Sequence, residues 1–243
     1  MTEQQKKFIE DNIDLIRHNK WAEFFDKCFR VLLSHSVGGL LYEAGFDFMT
    51  KLNYVPDRAF QESNIQTIVI PNNITSIGLY AFSNCRNLTS VTIPSSVESI
   101  EYGAFLDCSN LTSISIPDRV KNIDEYTFYG CRSLTIVKIG EGVKSIGKKA
   151  FLGCSRLTSI VLPHSVTSIR KQAFCVCKGL TSIEIPESVK RIEDDAFYDC
   201  NKITINYDGT KADWKNLIGS NSRVFKYTTY TCTCSDGIVK KTK

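Results

Sequence analysis

The sequence has no run of about eighteen apolar residues, the length that a membrane-spanning helix needs, so no transmembrane span is predicted. It also lacks a recognisable secretory leader, because the first residues, MTEQQKKFIEDN, do not join a charged start to an apolar stretch. We therefore expect a cytoplasmic protein, or a cell-surface or secreted one if a leader has been removed. The net charge is only +4 with both signs interspersed, so the composition does not favour a nucleic-acid partner.

Motifs for catalysis and cofactor binding are missing as well. His18, His35 and His164 are scattered, and no nucleophile elbow, Walker loop, metalloprotease helix or dinucleotide fingerprint occurs. The C-x-C pairs Cys175–Cys177 and Cys232–Cys234 are weak zinc signals, because neither has a histidine or a second well-spaced pair beside it. We therefore predict a protein that is not an enzyme and that uses no cofactor, metal or small-molecule substrate.

The sequence does contain a repeat of 23 residues, which is written out five times between Leu88 and Cys200. A fixed period of this length is typical of solenoids, in which stacked rungs bury one continuous core. One cysteine and one phenylalanine recur in every unit: Cys85, Cys108, Cys131, Cys154, Cys177 and Cys200, and Phe82, Phe105, Phe128, Phe151, Phe174 and Phe197. We predict a solenoid at 54–203, a helical N-terminal cap at 1–53 and a C-terminal cap and tail at 204–243.

Each rung shows two segments with inward-facing side chains. In the unit that begins LTSISIP, Leu111, Ile114 and Ile116 alternate with outward serines, as in a strand with one buried face. Val120 and Ile123 form the second segment. The Ala-Phe position is predicted to begin a turn or short helical piece on the outer wall, and the cysteine that follows is expected to be a buried, reduced thiol.

The two ends depart from the repeat. Apolar side chains fall at helical spacing within residues 1–53, most clearly from Trp21 to Leu33, and are predicted to cap the open end of the solenoid. Ser63 stands where the first rung should have its cysteine. Beyond the last full unit we expect the following: a strand at Ile203–Tyr207, a short helix capped by Asp213 with Trp214 inside the cap, edge strands at Val224–Tyr227 and Tyr230–Cys234, and a frayed basic tail at Lys240–Lys243.

The consensus of the repeat, L-x-x-I-x-I-P-x-x-V-x-x-I-x-x-x-A-F-x-x-C, resembles the BspA-like leucine-rich repeat of bacterial and protist surface proteins. The likeness runs from Val55 to Cys200, and the segments Glu43–Phe46 and Ile205–Trp214 are similar to the flanks of gut-bacterial members. The resemblance implies an α/β fold, namely a curved, right-handed solenoid with a parallel sheet on its concave face. It also implies a role in recognition, often adhesion to host or partner proteins.

Candidate binding residues are the outward side chains of the rungs. On the strand face they are mostly small and hydroxylated, with one apolar and basic spot: Ser113, Ser115, Ile136, Lys138, Ser159 and Val161. A second, partly basic stripe follows the valine column: Lys121, Lys144, Lys190 and Arg191. We predict a protein partner at the concave sheet face and an acidic partner for the stripe, although lysines that only keep the rim soluble explain the stripe equally well.

Two other functions fit the same sequence. The aromatic helices predicted within residues 1–53 could join copies of the chain into a structural assembly, or the protein could be a surface adhesin whose leader is absent. Nucleic-acid binding by the basic stripe is a weaker alternative, and strong salt dependence of binding would be its signature.

Overall fold

The computed structural model describes residues 53–219 and 223–242, and each rung of the repeat contributes two short strands there. The longer strands form what we call the long-strand face: β2 (Thr67–Val69), β4 (Ser90–Thr92), β6 (Ser113–Ser115), β8 (Ile136–Lys138), β10 (Ser159–Val161), β12 (Ser182–Ile185) and β14 (Lys202–Tyr207). The shorter strands form the short-strand face: β1 (Tyr54–Val55), β3 (Ser76–Ile77), β5 (Ser99–Ile100), β7 (Asn122–Ile123), β9 (Ser145–Ile146), β11 (Ser168–Ile169) and β13 (Arg191–Ile192). Apart from its last residue, the N-terminal cap predicted at 1–53 lies outside the described residues, and so does the assembly hypothesis built on it.

Neighbouring strands in each face are parallel, because every rung repeats the same backbone path. Ser113 pairs with Ile136 on the long-strand face, and Asn122 pairs with Ser145 on the short-strand face. The strands β8 and β10 pack side by side, as do β5 and β7, so both faces continue along the stack. The predicted solenoid with a parallel sheet is therefore confirmed.

The alternation predicted within a rung is also confirmed. Leu111, Ile114 and Ile116 are buried, while the serines between them point outward. Val120 and Ile123 are buried at the turn into β7. Both faces thus send apolar side chains into one core, and a rung can remove that surface from water only when a neighbour stacks on it.

Phenylalanine rings stack along this core. Ring centroids in neighbouring rungs are 5.0–5.6 Å apart, and the ring planes lie within 14° of parallel. The ladder continues past the regular repeat, because Phe225 stacks on Phe197 at 5.0 Å. The prediction of an edge strand at Val224–Tyr227 is therefore wrong, since this segment is the turn of a further rung. The stacked rings are Phe60, Phe82, Phe105, Phe128, Phe151, Phe174, Phe197 and Phe225.

The cysteine column beside the rings consists of free, buried thiols, as predicted. Each thiol donates a hydrogen bond to the backbone carbonyl of the phenylalanine one rung earlier, as Cys108 does to Phe82 at 3.0 Å. Hydroxyl side chains take the equivalent places at the two ends of the column. Ser63 contacts the first thiol, and Thr228 donates to the carbonyl of Phe197 at 2.6 Å.

The outer wall at the Ala-Phe position is made of turns. Two left-handed residues flank each ring from Phe60 to Phe197, such as Tyr126 at φ 60° and Gly130 at φ 71° on either side of Phe128. The sequence predicted either a turn or a short helical piece here. A helix needs a run of right-handed residues, so the turn is confirmed and the helical alternative is wrong. The one helix among the described residues is α1 (Lys211–Ile218), and in this range the fold is a β-solenoid with less helix than the predicted α/β class.

The C-terminal cap begins with α1. The hydroxyl of Thr210, the N-cap residue, accepts a hydrogen bond from the backbone N–H of Asp213, and the Asp213 carboxylate accepts one from the backbone N–H of Thr210. Asp213 is thus the third helical residue of a capping box and not the N-cap itself. Trp214 is fully buried and its ring packs 5.4 Å from that of Tyr207, which confirms that it belongs to the cap.

A hairpin completes the cap. The strand β15 (Thr229–Cys234) pairs in parallel with β14, and β16 (Gly237–Lys241) returns antiparallel along the outer edge of β15. The predicted edge strand at Tyr230–Cys234 is therefore confirmed as a strand, although it is not at the edge. Lys240 and Lys241 belong to β16, so the prediction that they form a frayed tail is wrong.

Candidate functional site

The structure divides the ten predicted binding residues between two surfaces. Six of them project from β6, β8 and β10 of the long-strand face: Ser113, Ser115, Ile136, Lys138, Ser159 and Val161. The other four belong to the short-strand face: Lys121, Lys144 and Lys190 directly precede β7, β9 and β13, and Arg191 lies in β13. A turn through a buried valine separates the two groups in every rung, so they form two candidate sites.

The centre of the long-strand face is apolar. Ile136 is 65% exposed and Val161 is 56% exposed, and they lie on the adjacent strands β8 and β10. Lys138 stands one repeat before Val161 in the same column of outward side chains, and Glu184 pairs with Val161 on the other side. This column therefore presents a cation, an apolar side chain and a carboxylate in successive rungs.

Threonines immediately before the long strands are a part of this surface that sequence reasoning missed. Thr112 donates its hydroxyl to the carbonyl of Thr89 at 3.1 Å, and Thr135 donates to Thr112 at 3.0 Å. The same bond occurs at Thr89 and Thr181. These bonds link successive rungs and hold the edge of the long-strand face rigid. The recurring Leu-Thr pair of the repeat was the available signal.

Charge on the short-strand face is only partly neutralised. Lys121 and Lys144 are exposed members of one column, joined by a backbone hydrogen bond of 2.7 Å, and neither has an ion pair among the described residues. Lys190 donates instead to the carbonyl of Glu187. Arg191 lies 3.2 Å from the carboxylate of Glu193, so part of its charge is balanced.

An aromatic row that sequence reasoning also missed lies in the turns before the ladder rings. The rings of Tyr80, Tyr102 and Tyr126 contact one another at 5.2–5.3 Å, with Arg58 over Tyr80 and Lys149 over Tyr126. Burial, with the neighbouring phenols, raises the pKa of Tyr102 to about 12. Cations already cover both ends of this row, so we assign it a structural role.

The described residues offer binding surfaces and little reactive chemistry. No group of three or more potential metal ligands occurs among them. Burial raises the pKa of the Cys85 thiol to about 11 and that of Cys200 to about 12, so both stay protonated and are poor nucleophiles. A shallow, open concavity is lined by Lys171 and Arg191–Asp194. In the described range, no helix has the length and apolar character needed to cross a bilayer.

Comparison with known proteins identifies the repeat. A family model described as a BspA type leucine-rich repeat region matches residues 53–161 and 144–229, with six copies. A leucine-rich repeat protein from Bacteroides ovatus is 31% identical with a TM-score of 0.62, and the match covers 74% of this chain and 45% of that protein. No curated protein matches the sequence.

A second solved structure shows the fold alone. It is a leucine-rich repeat protein from Eubacterium ventriosum, 22% identical with a TM-score of 0.55, and the match covers 68% of this chain and 44% of that protein. The chain thus spans less than half the length of either solved relative. Because the family model matches most of the chain and fits the stacked rungs, the chain belongs to the BspA-type leucine-rich repeat family.

Proposed function

We propose that the protein is a non-enzymatic scaffold that binds a protein partner through the long-strand face. The observation that carries this proposal is the exposure of Ile136 and Val161 on adjacent strands of a face whose other outward side chains are mostly serine and threonine. An apolar centre with a polar surround is the usual arrangement of a protein interface. Membership of a leucine-rich repeat family supports the same proposal, since such repeats generally act as interaction scaffolds.

Rigidity and charge add to this argument. The backbone of the long-strand face is held by parallel strand pairs and by the threonine hydroxyls, so a partner would not have to order it on binding. Lys138 and Glu184 stand on opposite sides of Val161 and supply charges of opposite sign. These charges would orient a partner along the stack of rungs.

Site-specific crosslinking tests where the partner binds. A photoreactive amino acid at position 136 is expected to capture a partner that the same probe at position 79 does not capture. Leu79 is a suitable control because it is also an exposed apolar residue, at 40%, but lies outside the long-strand face. Equal capture at both positions would show that the long-strand face is not the binding surface.

The purified partner then allows a quantitative test. Ile136→Asp combined with Lys138→Glu is expected to weaken binding at least about tenfold, because it puts a charge in the apolar centre and reverses a neighbouring one. The control pair Leu79→Asp and Arg86→Glu makes the same chemical changes elsewhere and should alter affinity by no more than about twofold. Equal losses in both double variants would overturn the proposal.

A further inference from the structure

The charges of this chain are divided along the sequence in a way that the net value of +4 conceals. Residues 142–183, nearly two full rungs, contain no aspartate or glutamate. The same stretch contains these basic residues: Lys144, Lys148, Lys149, Arg156, Arg170, Lys171 and Lys178. Acidic side chains close to this stretch must therefore come from the rungs before and after it.

The fold gathers most of these cations on one side. Lys144 lies directly before β9, and Lys148, Lys149, Arg170 and Lys171 lie in the turns that directly follow β9 and β11. Lys121 joins them from the preceding rung. We call this surface the basic band: Lys121, Lys144, Lys148, Lys149, Arg170 and Lys171.

Four of the five lysines of the basic band form two pairs, each one rung apart. Lys121 and Lys144 share one column, and Lys148 and Lys171 share the next, where their carbonyls accept hydrogen bonds from successive rungs. Rungs are spaced by about 4.8 Å, so the two backbone positions of each pair lie close together. Lys121, Lys144 and Lys171 are exposed and have no side-chain ion pair among the described residues.

Acidic side chains border the band at both ends. Glu125 lies 3.8 Å from Lys148 on the N-terminal side. On the C-terminal side Glu193 lies 3.3 Å from Arg170 and 3.2 Å from Arg191, and it also accepts the backbone N–H of Lys171 at 2.9 Å. The uncompensated charge is therefore confined to about three rungs and belongs to lysines.

We infer that the basic band is a second docking surface, and that its occupant is an acidic segment of a partner protein. Charge complementarity supplies the attraction, and confinement by Glu125 and Glu193 limits it to a short segment. A nucleic acid fits less well. Arg170, the one arginine of the band, is already engaged by Glu193, and Lys149 lies over the ring of Tyr126 beside the band, so this arginine and this ring are less open to a phosphate or a base.

Binding of a synthetic glutamate-rich peptide to the full chain tests this inference. Lys144→Glu combined with Lys171→Glu is expected to weaken peptide binding at least about tenfold, because two attractions become repulsions. The matched control is Arg132→Glu with Arg156→Glu, which makes the same change of charge at exposed positions after the cysteine column and outside the band. That control is expected to lose no more than about twofold. Thermal unfolding of all variants checks that they are folded.

Three outcomes would overturn the inference. The first is an equal loss of binding in both double variants, and the second is no measurable peptide binding near physiological ionic strength, where charges are screened beyond about 8 Å. The third is tighter binding of a single-stranded oligonucleotide or a polyuronate than of the peptide at the same ionic strength. The variant Ile136→Asp with Lys138→Glu should still bind the peptide. The inference and the proposed role of the long-strand face can therefore fail separately.

Discussion

Single residues decide how much backbone strain each rung carries, because two positions per rung are left-handed. The second of these positions, two residues after each ladder ring, holds mostly small or polar residues that tolerate this conformation. They are Glu62, Asn84, Asp107, Gly130, Gly153, Val176, Asp199 and Tyr227. Val176, at φ 59°, is the one β-branched residue among them. Its side chain is only half-buried, so little burial offsets the strain of its backbone.

Replacing Val176 with asparagine is therefore expected to stabilise the protein. We expect the free energy of unfolding to rise by about 1 kcal/mol, because the strain of a β-branched residue at positive φ is relieved. Asn84 occupies the equivalent position in another rung, which shows that the rung accepts this side chain. Urea denaturation followed by circular dichroism measures the change.

The reverse change one rung earlier is the control. Gly153→Val introduces the same strain at φ 75°, and an added Cβ would meet nothing closer than the Cα of Gly130 at 3.9 Å, so the Cβ itself meets no clash. We expect it to destabilise the protein by a similar amount. Two substitutions that shift stability in the same direction would contradict the strain argument. The sequence could not predict these positions, because their side chains vary from rung to rung.

The cysteine column is the element in which burial has the clearest chemical consequence. Desolvation raises the pKa of Cys131, Cys154 and Cys177 well above their ordinary value. Unfolded thiols are half ionised at about pH 8.5, whereas the folded ones stay protonated. Above that pH the unfolded state binds fewer protons than the folded state, so stability falls as pH rises.

We expect the free energy of unfolding, measured under reducing conditions, to decrease steeply between pH 9 and pH 11. Each buried thiol contributes a slope of up to about 1.4 kcal/mol per pH unit. In a variant with Cys131→Ser and Cys154→Ser, two of these contributions disappear and the curve becomes shallower. Serine is a fair replacement because Ser63 occupies the same column. Identical slopes in the two proteins would show that the thiols do not control alkaline stability.

The strands and ladder rings were predicted correctly where the 23-residue period is regular, and predictions were wrong where the period is interrupted. The column from Phe82 to Phe197 was predictable because one buried ring recurs every 23 residues. Phe225 comes 28 residues after Phe197, since α1 is inserted in that rung, and no local pattern marks it as a ladder ring. The sequence left a turn and a short helical piece open for the outer wall, and the left-handed residues on both sides of the rings from Phe60 to Phe197 decide for the turn.

At the scale of the whole molecule, the two docking surfaces depend on where the chain turns. Both groups of candidate residues could be chosen from the sequence as outward side chains. Their division into a strand-face group and a stripe after the valine column was predicted as well, because the two groups occupy different positions in the repeat. Arg170 and Lys171 were expected near the stripe, but Lys148 was not, because its place beside Lys144 depends on the path of the chain after β9.

A stack of rungs must also end, and β16 performs this task at the C-terminal side. It pairs along the whole of β15, where Val239 lies opposite Cys232, and Lys241 donates to the carbonyl of Phe225 at 2.5 Å. Tyr230, Cys232 and Cys234 are buried beneath this hairpin. Without β16, the backbone groups of β15 would be exposed as a template for another chain.

A variant that ends at Asp236 should therefore self-associate, because it keeps β15 but loses β16. Asp236 is retained because its carboxylate accepts the backbone N–H of Lys211 at 2.7 Å and so supports α1. The control ends at Lys241 and keeps the hairpin. Light scattering should show a mass that grows with concentration in the shorter variant and stays constant in the control. A constant monomer mass for both would contradict the idea that β16 protects β15 from pairing with another chain.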